Sequence, residues 1–537
     1  MTDHFRSPVY TGEQVHSLFS FISKEFNMDS QSSVFQAKPC RTCTPAEKPL
    51  LKPLALVIFG GSGDLSQRKL LPALYHLYRD GLLPEQFCIV GIGRTEYSRE
   101  AYQKRVENTL KEHLSDDYHE QTASEFAGHC LYQSGNFQQD EIYGEICRIL
   151  QESFEGSASD ILFYLAVPPD LLSSIVAGLK KFQLCGSLTN SKIIVEKPFG
   201  RDQSSAHELN AMLLDAFEEK RIYRIDHYLG KETVQNILFF RFGNSMFEPL
   251  WNHKYIDHVQ ITVAETMGIG HRGNFYEQTG VIRDLVQNHI LQLLALVAME
   301  PPAGFDGDLV RDEKVKVYRS IRPAEEQDIQ NNMVRGQYGK GQSGQEPVPG
   351  YREEEHVHAG SNTPTFFAGK FFIDNWRWAG VPFYIRTGKR LLKRVSEIYI
   401  QFQQPPQKLF GSARDPVVPG GIILGIQPEE EIVMRLNIKY PGMGNQPHPV
   451  EMVLNYSNAF QTHHRPAYER LLLDAVKGDL TLFARMDGVE AMWAIVDPII
   501  QWWETHPARE FPNYKAGTWG PDQAQALIRK DGRMWRI

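Results

Sequence analysis

The first half of the chain alternates short, mostly apolar runs with stretches of helical periodicity. The apolar runs are LALVIF, FCIVGIG, DILFYLAV, SKIIV and RIYRI, which begin at Leu54, Phe87, Asp160, Ser191 and Arg221. Helical stretches such as LLSSIVAGLKKF separate them. Strands of a parallel sheet are covered on both faces and therefore have nearly continuous apolar sequences. The first half is thus predicted to be a parallel, doubly wound α/β domain.

Later in the chain, apolar and polar residues alternate in four segments: HVQITVAE, SEIYIQF, EEIVMRLNIK and PVEMVLNY. The third segment has an apolar face and a polar face, formed by Ile432, Met434, Leu436 and Ile438 and by Arg435, Asn437 and Lys439. This period of two predicts half-buried strands of a large, mainly antiparallel sheet. The second half is therefore predicted to be a β+α domain.

Other segments of the second half are predicted as helices or loops. Apolar periodicity predicts helices over residues 280–299, 467–477 and 488–504. Residues 335–364 are polar and rich in turn residues, so a surface loop is predicted there. A chain of 537 residues is too long for one ordinary core. We expect a flexible leader over 1–52, an α/β domain over 53–226 and a β+α domain over 227–537.

Composition narrows the classes of partner. The formal net charge is −8 and the pI is near 6.2, whereas a general nucleic-acid or anionic-membrane binder would have a basic surface. With no apolar run of about 18 residues and no N-terminal signal pattern, neither a membrane span nor secretion is expected. The six cysteines are sparse, which is typical of a reducing, cytoplasmic setting. Cys40 and Cys43 form a C-x-x-C without a second ligand pair, which favours two ordinary thiols over a zinc or redox role.

A glycine-rich turn follows the first predicted strand and precedes a helical pattern. Its residues are Gly60, Gly61, Ser62, Gly63, Asp64 and Leu65. Glycines allow the backbone to turn tightly and approach a pyrophosphate, and the following helix offers unpaired N–H groups. An ordinary strand-to-helix turn would have a similar sequence, but the position after the first strand favours a Rossmann-like dinucleotide site. Pro72 either kinks the following helix or delays its start.

The end of the second predicted strand indicates which dinucleotide binds. NAD-specific sites usually have an acidic residue there, which accepts from the ribose 2′-hydroxyl. Here Arg94 and Thr95 follow VGIG, and a cation with a hydroxyl suits a 2′-phosphate. We therefore expect NADP as the cofactor, with an ordinary surface arginine at a strand end as the alternative.

Polar or turn residues closely follow four of the predicted strands. These residues are Gly60, Arg94, Lys197 and Asp226. Because ligands bind at the carboxyl ends of the strands in an open parallel sheet, the four residues are expected to lie along one ligand-binding edge. The segment RIDHYLGKE then lies at that edge, and its lysine and imidazole suit an anionic substrate. A binding site is therefore favoured over a solvated loop.

The segment VIRDLVQNHILQLLALVAME, residues 281–300, is predicted to be a buried helix that ends before Pro301. Asp284 and His289 are costly to bury there unless each has a partner. In an α-helix these two side chains would stand about 140° apart around the axis, so their spacing alone does not pair them. A hydrogen-bonded core histidine and a catalytic histidine are both compatible with the residues.

Six segments together resemble the glucose-6-phosphate dehydrogenase family: GGSGDL, LFYLAVPP, EKPFG, RIDHYLGKE, IRDLVQNH and VPFYIRTGK. They occur in the family's order over about residues 54–530, and RIDHYLGKE is highly specific. The resemblance implies a dinucleotide-binding domain followed by a β+α domain with a large antiparallel sheet. It also implies oxidation of β-D-glucose 6-phosphate at C1 to 6-phosphoglucono-1,5-lactone with hydride transfer to NADP, the first step of the oxidative pentose phosphate pathway.

The resemblance implies roles for individual residues as well. His289 is expected to be the general base for the C1 hydroxyl, and Asp226 to orient it. Substrate contacts are expected from Lys197, His227, Tyr228, Lys231, Glu265, Asp284, Lys389, Arg394 and Gln427. Lys197 is also expected to contact the cofactor, and no metal is expected. Gly425 stands where some members have an arginine for a second, structural NADP, so a second nucleotide site is not expected.

Two other functions are alternatives. One is a Rossmann-type oxidoreductase that uses the EKP lysine on an unphosphorylated sugar, which would leave the clustering of His227, Tyr228 and Lys231 unexplained. The other is a non-catalytic sensor of NADP or of a sugar phosphate, which would not require the set of Asp226, Lys231 and His289. By resemblance, the partners expected are glucose 6-phosphate and further copies of the chain, as a homodimer or homotetramer. Nucleic acid and membrane are not expected.

Overall fold

The computed structural model describes residues 51–154, 159–184, 190–407, 409–410, 417–460 and 465–536. The predicted leader lies outside these residues except for its last two positions, and Cys40 and Cys43 lie outside them as well. One large cluster of buried apolar side chains extends from Leu54 in the first strand to Trp503 near the C-terminus. The two halves of the chain therefore share a core, which fixes the position of any site between them.

The first sheet is parallel and doubly wound, as predicted. Its strands are β1 (Leu54–Phe59), β2 (Phe87–Gly93), β3 (Cys130–Ser134), β4 (Asp160–Leu165), β5 (Ser191–Val195) and β6 (Ile222–Ile225). They lie in the order β6-β5-β4-β1-β2-β3, and every neighbouring pair is parallel. The sequence analysis did not identify β3, because this edge strand is mostly half-buried and has no continuous apolar run.

Helices cover the two faces of this sheet. They are α1 (Leu71–Arg79), α2 (Arg99–Leu114), α3 (Glu120–Gly128), α4 (Asp140–Phe154), α5 (Leu172–Lys181) and α6 (Gln203–Ala216). A π-helical turn, Ser66–Leu70, precedes α1, so that Pro72 lies in the first turn of α1. The backbone is already helical from Asp64, so a delayed helix start, one of the two outcomes expected for Pro72, does not occur. The π-helical turn lies just before the proline, and regular α-helix follows from Leu71.

The second sheet has eight strands and is mainly antiparallel, as predicted. Its strands are β7 (Ile256–Ala264), β8 (Met333–Gly336), β12 (Phe366–Phe372), β13 (Pro382–Gly388), β14 (Val395–Phe402), β15 (Gly421–Gln427), β16 (Glu431–Lys439) and β17 (Pro447–Asn455). Between β8 and β12 lie β9 (Tyr338–Gly339), β10 (Gly341–Ser343) and β11 (Glu346–Val348). The order is β17-β16-β15-β14-β7-β13-β12-β8, and β7 and β13 form its parallel pair.

The helices of the second half are α7 (Glu232–Phe242), α8 (Gly273–Val281), a π-helix (Ile282–Ile290), α9 (Leu291–Ala298), α10 (Gly307–Ser320), α11 (Glu326–Asn332), α12 (Tyr456–Phe460), α13 (Ala467–Lys477), α14 (Met486–Thr505) and α15 (Asp522–Arg529). They include the three predicted helices, which are the π-helix with α9, α13 and α14, together with helices that were not predicted. Short 3-10 turns cover Ser115–Asp117, Pro169–Leu171, Glu219–Arg221, Glu248–Leu250, Gly270–Arg272 and Tyr351–Glu353. Two further strands are β18 (Phe483–Ala484), which pairs with β6 in antiparallel register, and β19 (Tyr514–Lys515), which pairs with β9.

The prediction of a surface loop over residues 335–364 is wrong. This segment contains the three short strands β9, β10 and β11, and the side chains of Tyr338 and Tyr351 are fully buried. The buried amide of Gln337 donates hydrogen bonds to the carbonyl groups of Ser361 and Thr363, both at 3.0 Å. Two buried tyrosines and the bonded amide nitrogen of Gln337 hold in place a segment whose glycines and charges suggest a surface loop.

The helical stretch over residues 270–298 is long and apolar enough to cross a membrane, by length and composition alone. In its most apolar window, 83% of the residues are buried inside the protein. The described residues contain one such stretch. It lies in the core between the two sheets, and its middle part is the π-helix.

Candidate active site

The candidate site lies where the ends of the two sheets meet. β5 and β6 are parallel neighbours, so Lys197 and Asp226, which follow them, leave the first sheet side by side. β7 and β13 are parallel neighbours in the second sheet, so Glu265 and Lys389 also emerge side by side. The topology of the two sheets thus brings four of the predicted site residues to one place.

The π-helix crosses this place and carries Asp284 and His289. The two residues are five apart, which is the hydrogen-bonding register of a π-helix, and both line the same cavity. Lys197 Nζ contacts both, at 3.5 Å from Asp284 Oδ1 and 2.9 Å from His289 Nε2. The expectation of α-helical geometry, with the side chains about 140° apart, is therefore wrong. The wider turn of the π-helix brings the two residues to one face.

His289 and Asp226 form a buried pair. His289 Nδ1 lies 2.5 Å from Asp226 Oδ1, and the two side chains are 1% and 6% exposed. Burial lowers the pKa of His289, and although the Asp226 carboxylate opposes this, the net pKa stays below its ordinary value. Burial alone would raise the pKa of Asp226, but the charge and hydrogen bond of His289 hold it low. With Nδ1–H donating to the carboxylate, the neutral imidazole has Nε2 as its acceptor.

Two rings fix the orientation of His289. The Tyr228 ring stacks on the imidazole with a centroid separation of 4.4 Å, and His227 meets it edge to face at 4.4 Å. Burial lowers the pKa of His227 well below its ordinary value, and the neighbouring His289 and Lys197 act in the same direction. Both rings come from the loop that follows β6. This loop therefore supplies Asp226 as the hydrogen-bond partner of His289 and two aromatic rings that pack against the imidazole.

Lys389 accounts for the buried carboxylate of Asp284. Its ammonium group lies 2.8 Å from Asp284 Oδ2 and also forms a short ion pair with Glu265. Burial would lower the pKa of Lys389, but the charges of Asp284 and Glu265 outweigh it and the pKa is raised. Burial would likewise raise the pKa of Asp284, but Lys389 and Lys197 hold it low. Asp284 is thus an ionised hydrogen-bond acceptor at the cavity wall.

A second group of polar side chains lies at another part of the cavity wall. Lys231 Nζ donates to Gln427 Oε1 at 2.7 Å, and Arg394 donates to the same oxygen at 3.3 Å. Tyr228 and Ser396 share a hydrogen bond of 3.2 Å, and Ser396 faces Gln427 across β14 and β15. Burial, with the nearby charge of Arg394, lowers the pKa of Lys231 to about 8. Two cations meet here at one amide oxygen, which suits an anionic ligand.

These groups line one cavity of about 590 Å³. Its lining includes the predicted residues Lys197, His227, Tyr228, Lys231, Glu265, Asp284, His289, Lys389, Arg394 and Gln427. Asp226 lies behind His289 and holds its far nitrogen. The volume is that of a small-molecule site. The lining combines a proton acceptor, two carboxylates and a group of cations, so the arrangement suits a polar, anionic substrate with exchangeable protons.

The glycine-rich turn lies on the same edge of the first sheet, at the end of β1. Gly60 has a φ of +90°, and a Cβ atom on it would lie 2.2 Å from the carbonyl oxygen of Ala166. A Cβ atom on Gly61 would lie 2.4 Å from Gly91 Cα. The N–H groups of both glycines donate to the Ile92 carbonyl, at 2.8 and 2.9 Å. Only glycine fits at both positions, which holds the turn against β2 and β4 and leaves its outer side open to a ligand.

The remaining predicted cofactor residues surround the open side of this turn. They are Ser62, Gly63, Asp64, Leu65 and Arg94, and none of them lines the cavity of the candidate site. Arg94 is exposed and, among the described residues, has neither a hydrogen bond nor an ion pair. The backbone becomes helical from Asp64 onward. A close-packed glycine turn, a helix start and an unpaired guanidinium fit a dinucleotide with a further phosphate.

Three side chains of the site could in principle share a metal ion. Asp226, His227 and His289 each offer a ligand atom within 4.8 Å of the other two. No metal is expected from the sequence. The Asp226–His289 hydrogen bond already occupies two of these ligand atoms, so the same geometry serves an acid–base pair without an ion.

Three residues around the site were not predicted from the sequence. Ser396 bonds Tyr228 and Gln427, and Glu196 accepts hydrogen bonds from Tyr164 and Tyr468 next to Lys197. Asn288 bonds the backbone of the π-helix. The EKP motif contains Glu196, but nothing in the sequence places the two tyrosines around it. For Asn288 the usable signal was its position beside a buried histidine.

Comparisons with known proteins show the family to which the chain belongs. Two family profiles match: "Glucose-6-phosphate dehydrogenase, NAD binding domain" over residues 57–236 and "Glucose-6-phosphate dehydrogenase, C-terminal domain" over residues 238–536. The glucose-6-phosphate 1-dehydrogenases of Rhizobium meliloti and Chlamydia pneumoniae are each 44% identical, over 90% and 92% of this chain and 98% and 97% of theirs. A solved glucose-6-phosphate dehydrogenase in complex with glucose 6-phosphate has a TM-score of 0.83 at 36% identity, covering 91% of this chain and 100% of that one. A glucose-6-phosphate 1-dehydrogenase structure from Mycobacterium avium has a TM-score of 0.78, also at 36% identity, covering 91% of this chain and 99% of that one. The chain belongs to the glucose-6-phosphate dehydrogenase family and is an enzyme of that family.

Proposed function

We propose that this enzyme oxidises β-D-glucose 6-phosphate at C1 to 6-phosphoglucono-1,5-lactone and transfers the hydride to NADP. The observation that carries the proposal is the composition of the cavity. His289, held by Asp226, faces it, and Lys231 and Arg394 meet at Gln427 on its wall. A proton acceptor and an anion site in one cavity match a substrate with a reacting hydroxyl and a phosphate.

The proton step is assigned to His289 Nε2. Because Nδ1 bonds Asp226, Nε2 is the nitrogen that can accept the C1 hydroxyl proton. The Lys197 ammonium lies 2.9 Å from Nε2, so the sugar hydroxyl would replace this contact when it binds. The lowered pKa of His289 keeps the base neutral near neutral pH. As the proton leaves for Nε2, Asp226 stabilises the imidazolium that forms.

Substrate recognition is divided between two parts of the cavity. Glu265 and Asp284, which both form ion pairs with Lys389, are proposed to accept hydrogen bonds from the sugar hydroxyls. The phosphate is proposed to bind His227, Tyr228, Lys231, Arg394 and Gln427. Lys197, 2.9 Å from His289 Nε2, and Lys389, paired with Glu265 and Asp284, are proposed to contact the reacting end of the sugar. Two cations at one position offer charge-assisted hydrogen bonds to a phosphate. A sugar without a phosphate would leave this group unused.

The nicotinamide cofactor, when bound, accepts the hydride that leaves C1. Residues Gly60, Gly61, Ser62, Gly63, Asp64 and Leu65 are proposed to hold its pyrophosphate and Arg94 its 2′-phosphate, with Lys197 between cofactor and substrate. The exposed guanidinium of Arg94, which has no partner within the described part of the chain, supports NADP over NAD. The C1–H electron pair leaves as hydride and the hydroxyl proton goes to His289, so the carbinol becomes a lactone carbonyl.

We also propose a homodimer or homotetramer in the cytoplasm. The outer strands β16 and β17 expose apolar side chains: Leu436 is 46%, Ile438 is 49% and Met452 is 42% exposed. Ile432 and Met434, at the other end of the β16 apolar face, are partly buried against the core. The predicted half-buried face of this strand therefore continues as an exposed apolar surface, which is typical of an interface.

The decisive experiment is a steady-state assay of NADPH formation with glucose 6-phosphate, free glucose and a panel of hexose phosphates, using NADP and NAD. We expect kcat/KM to be highest for glucose 6-phosphate with NADP. Equal turnover of free glucose would favour the unphosphorylated-sugar oxidoreductase instead. Binding of NADP without turnover of any sugar would favour a sensor.

A further inference from the structure

The π-helix has one residue that bonds two of its backbone groups at once. The Asn288 amide nitrogen donates to the Arg283 carbonyl at 3.0 Å, five residues back. The Asn288 amide oxygen accepts from the N–H of His289 at 2.7 Å. Both contacts fit one orientation of the amide, because the nitrogen faces an acceptor and the oxygen faces a donor. Asn288 thus bonds backbone on both sides of Asp284.

The π register is what pairs Asp284 with His289. A π-helix pairs residues five apart, as Asp284 and His289 are, and the Asp284 carbonyl accepts a hydrogen bond from Lys197 at 3.0 Å. In an α-helical register, residues four apart would pair instead and the side chains of Asp284 and His289 would point in different directions. Side-chain bonds to backbone groups of this segment therefore favour the register in which His289 reaches Asp226.

We infer that Asn288 is a positioning residue, which holds the π register so that His289 Nε2 faces the substrate and His289 Nδ1 faces Asp226. Asn288 acts through the backbone of His289, and this inference rests on the proposed function for its kinetic readout. Removing the amide takes the side-chain partner from both the Arg283 carbonyl and the His289 N–H. The expected consequence is displacement of the base rather than loss of the binding groups on the loops after β6 and β15.

The test compares Asn288→Ala and Asn288→Leu with the wild type. Leucine keeps most of the side-chain volume without the hydrogen bonds. We expect kcat to fall about 10- to 100-fold in both, since small displacements of a reacting group cost this much. The dissociation constant for glucose 6-phosphate, measured by calorimetry, should rise less than about fivefold, because most of the phosphate ligands lie outside the π-helix.

The conservative variant Asn288→Asp separates the two hydrogen bonds. It keeps an oxygen for the His289 N–H and loses the donor to the Arg283 carbonyl, so its kcat should lie between wild type and Asn288→Ala. Asn332→Ala is the matched control, because this asparagine ends α11 and its amide donates to Asp328 in the same helix. Its kcat should stay within about twofold of wild type.

A second readout does not depend on activity. Amide hydrogen exchange, followed by mass spectrometry on peptides covering residues 282–290, should become faster in Asn288→Ala while peptides from α14 stay unchanged.

Kcat within twofold of wild type with unchanged exchange would overturn the inference. Equal losses of kcat and of substrate affinity would also overturn it, because they indicate general damage. If Asn288→Ala and Asn288→Leu do not fold, Asn288→Asp decides: wild-type kcat and exchange would contradict the inference. A wild type that does not reduce NADP with glucose 6-phosphate would contradict the proposed function alone, and the exchange result would still test Asn288.

Discussion

The nucleotide turn and the substrate cavity both contain π-helical backbone, but they use it differently. In the turn Ser66–Leu70, polar side chains bond back to the loop: Ser66 Oγ donates to the Gly60 carbonyl at 2.8 Å and Gln67 to the Ser62 carbonyl at 2.7 Å. In the π-helix Ile282–Ile290, the register brings reacting side chains to one face. The first π segment shapes a backbone surface and the second aligns side chains. Substitutions of side chains should therefore be far more damaging in the cavity than in the turn.

Of four substitutions in the two regions, Asp226→Asn is expected to have the largest effect. The amide no longer fixes the tautomer of His289 or stabilises its imidazolium, so kcat should fall about 100- to 1000-fold. The Asp226 charge raises the pKa of His289, so its removal should move the acid limb of kcat/KM to lower pH. Steady-state rates between pH 5 and 9 would measure both. An unshifted acid limb together with a normal kcat would show that Asp226 does not act on His289.

A smaller effect is expected for Lys231→Met. This change keeps most of the length of the side chain and removes its charge-assisted hydrogen bond, so KM for glucose 6-phosphate should rise about 10- to 100-fold. Kcat should fall much less, because Lys231 contacts Gln427 rather than the His289 pair. The matched control is Lys316→Met on the exposed side of α10, whose ammonium pairs with Glu313. A normal KM for glucose 6-phosphate in Lys231→Met would show that Lys231 does not bind the phosphate.

In the nucleotide region the expected effect is confined to one cofactor. Arg94→Ala should raise KM for NADP about tenfold and leave KM for NAD nearly unchanged, because only NADP has the 2′-phosphate. Kinetics with both cofactors at saturating glucose 6-phosphate would show this. Equal losses with NADP and NAD would mean that Arg94 does not recognise the 2′-phosphate.

The smallest effect is expected for Ser66→Ala. It removes the hydrogen bond to the Gly60 carbonyl, but the N–H groups of Gly60 and Gly61 still bond Ile92 and keep the turn in place. KM for NADP should change less than about threefold, with kcat unchanged. A large loss would show that side chains of the first π segment matter as much as those of the second.

The parallel sheet and the long helices follow from the sequence because burial on both faces, or on one helical face, leaves a periodic signal. β3 is an edge strand, and β12, β13 and β15 were not identified either, since they lack clear alternation. The buried tyrosines of residues 335–364 could not be predicted, because glycines and charges dominate that segment. Local composition does not report which side chains reach a distant core.

Part of the site could be predicted and part could not. The position of Lys197 and Asp226 at one edge follows from strand order alone. The contact between Asp226 and His289 joins residues from a strand end and a helix, and the α-helical period gave the wrong relation between Asp284 and His289. A π-helix has no distinct sequence period over nine residues, so its register appears only when the tertiary contacts of Lys197 and Asn288 are known.

The most direct test of the account is the variant His289→Asn, with substrate binding and hydride transfer measured separately. Single-turnover formation of NADPH should slow about 100- to 10,000-fold, the usual contribution of a general base. The dissociation constant for glucose 6-phosphate should stay within about threefold of wild type, because the phosphate and hydroxyl ligands remain. Hydride transfer at a near-normal rate would contradict the assignment of His289 as the base.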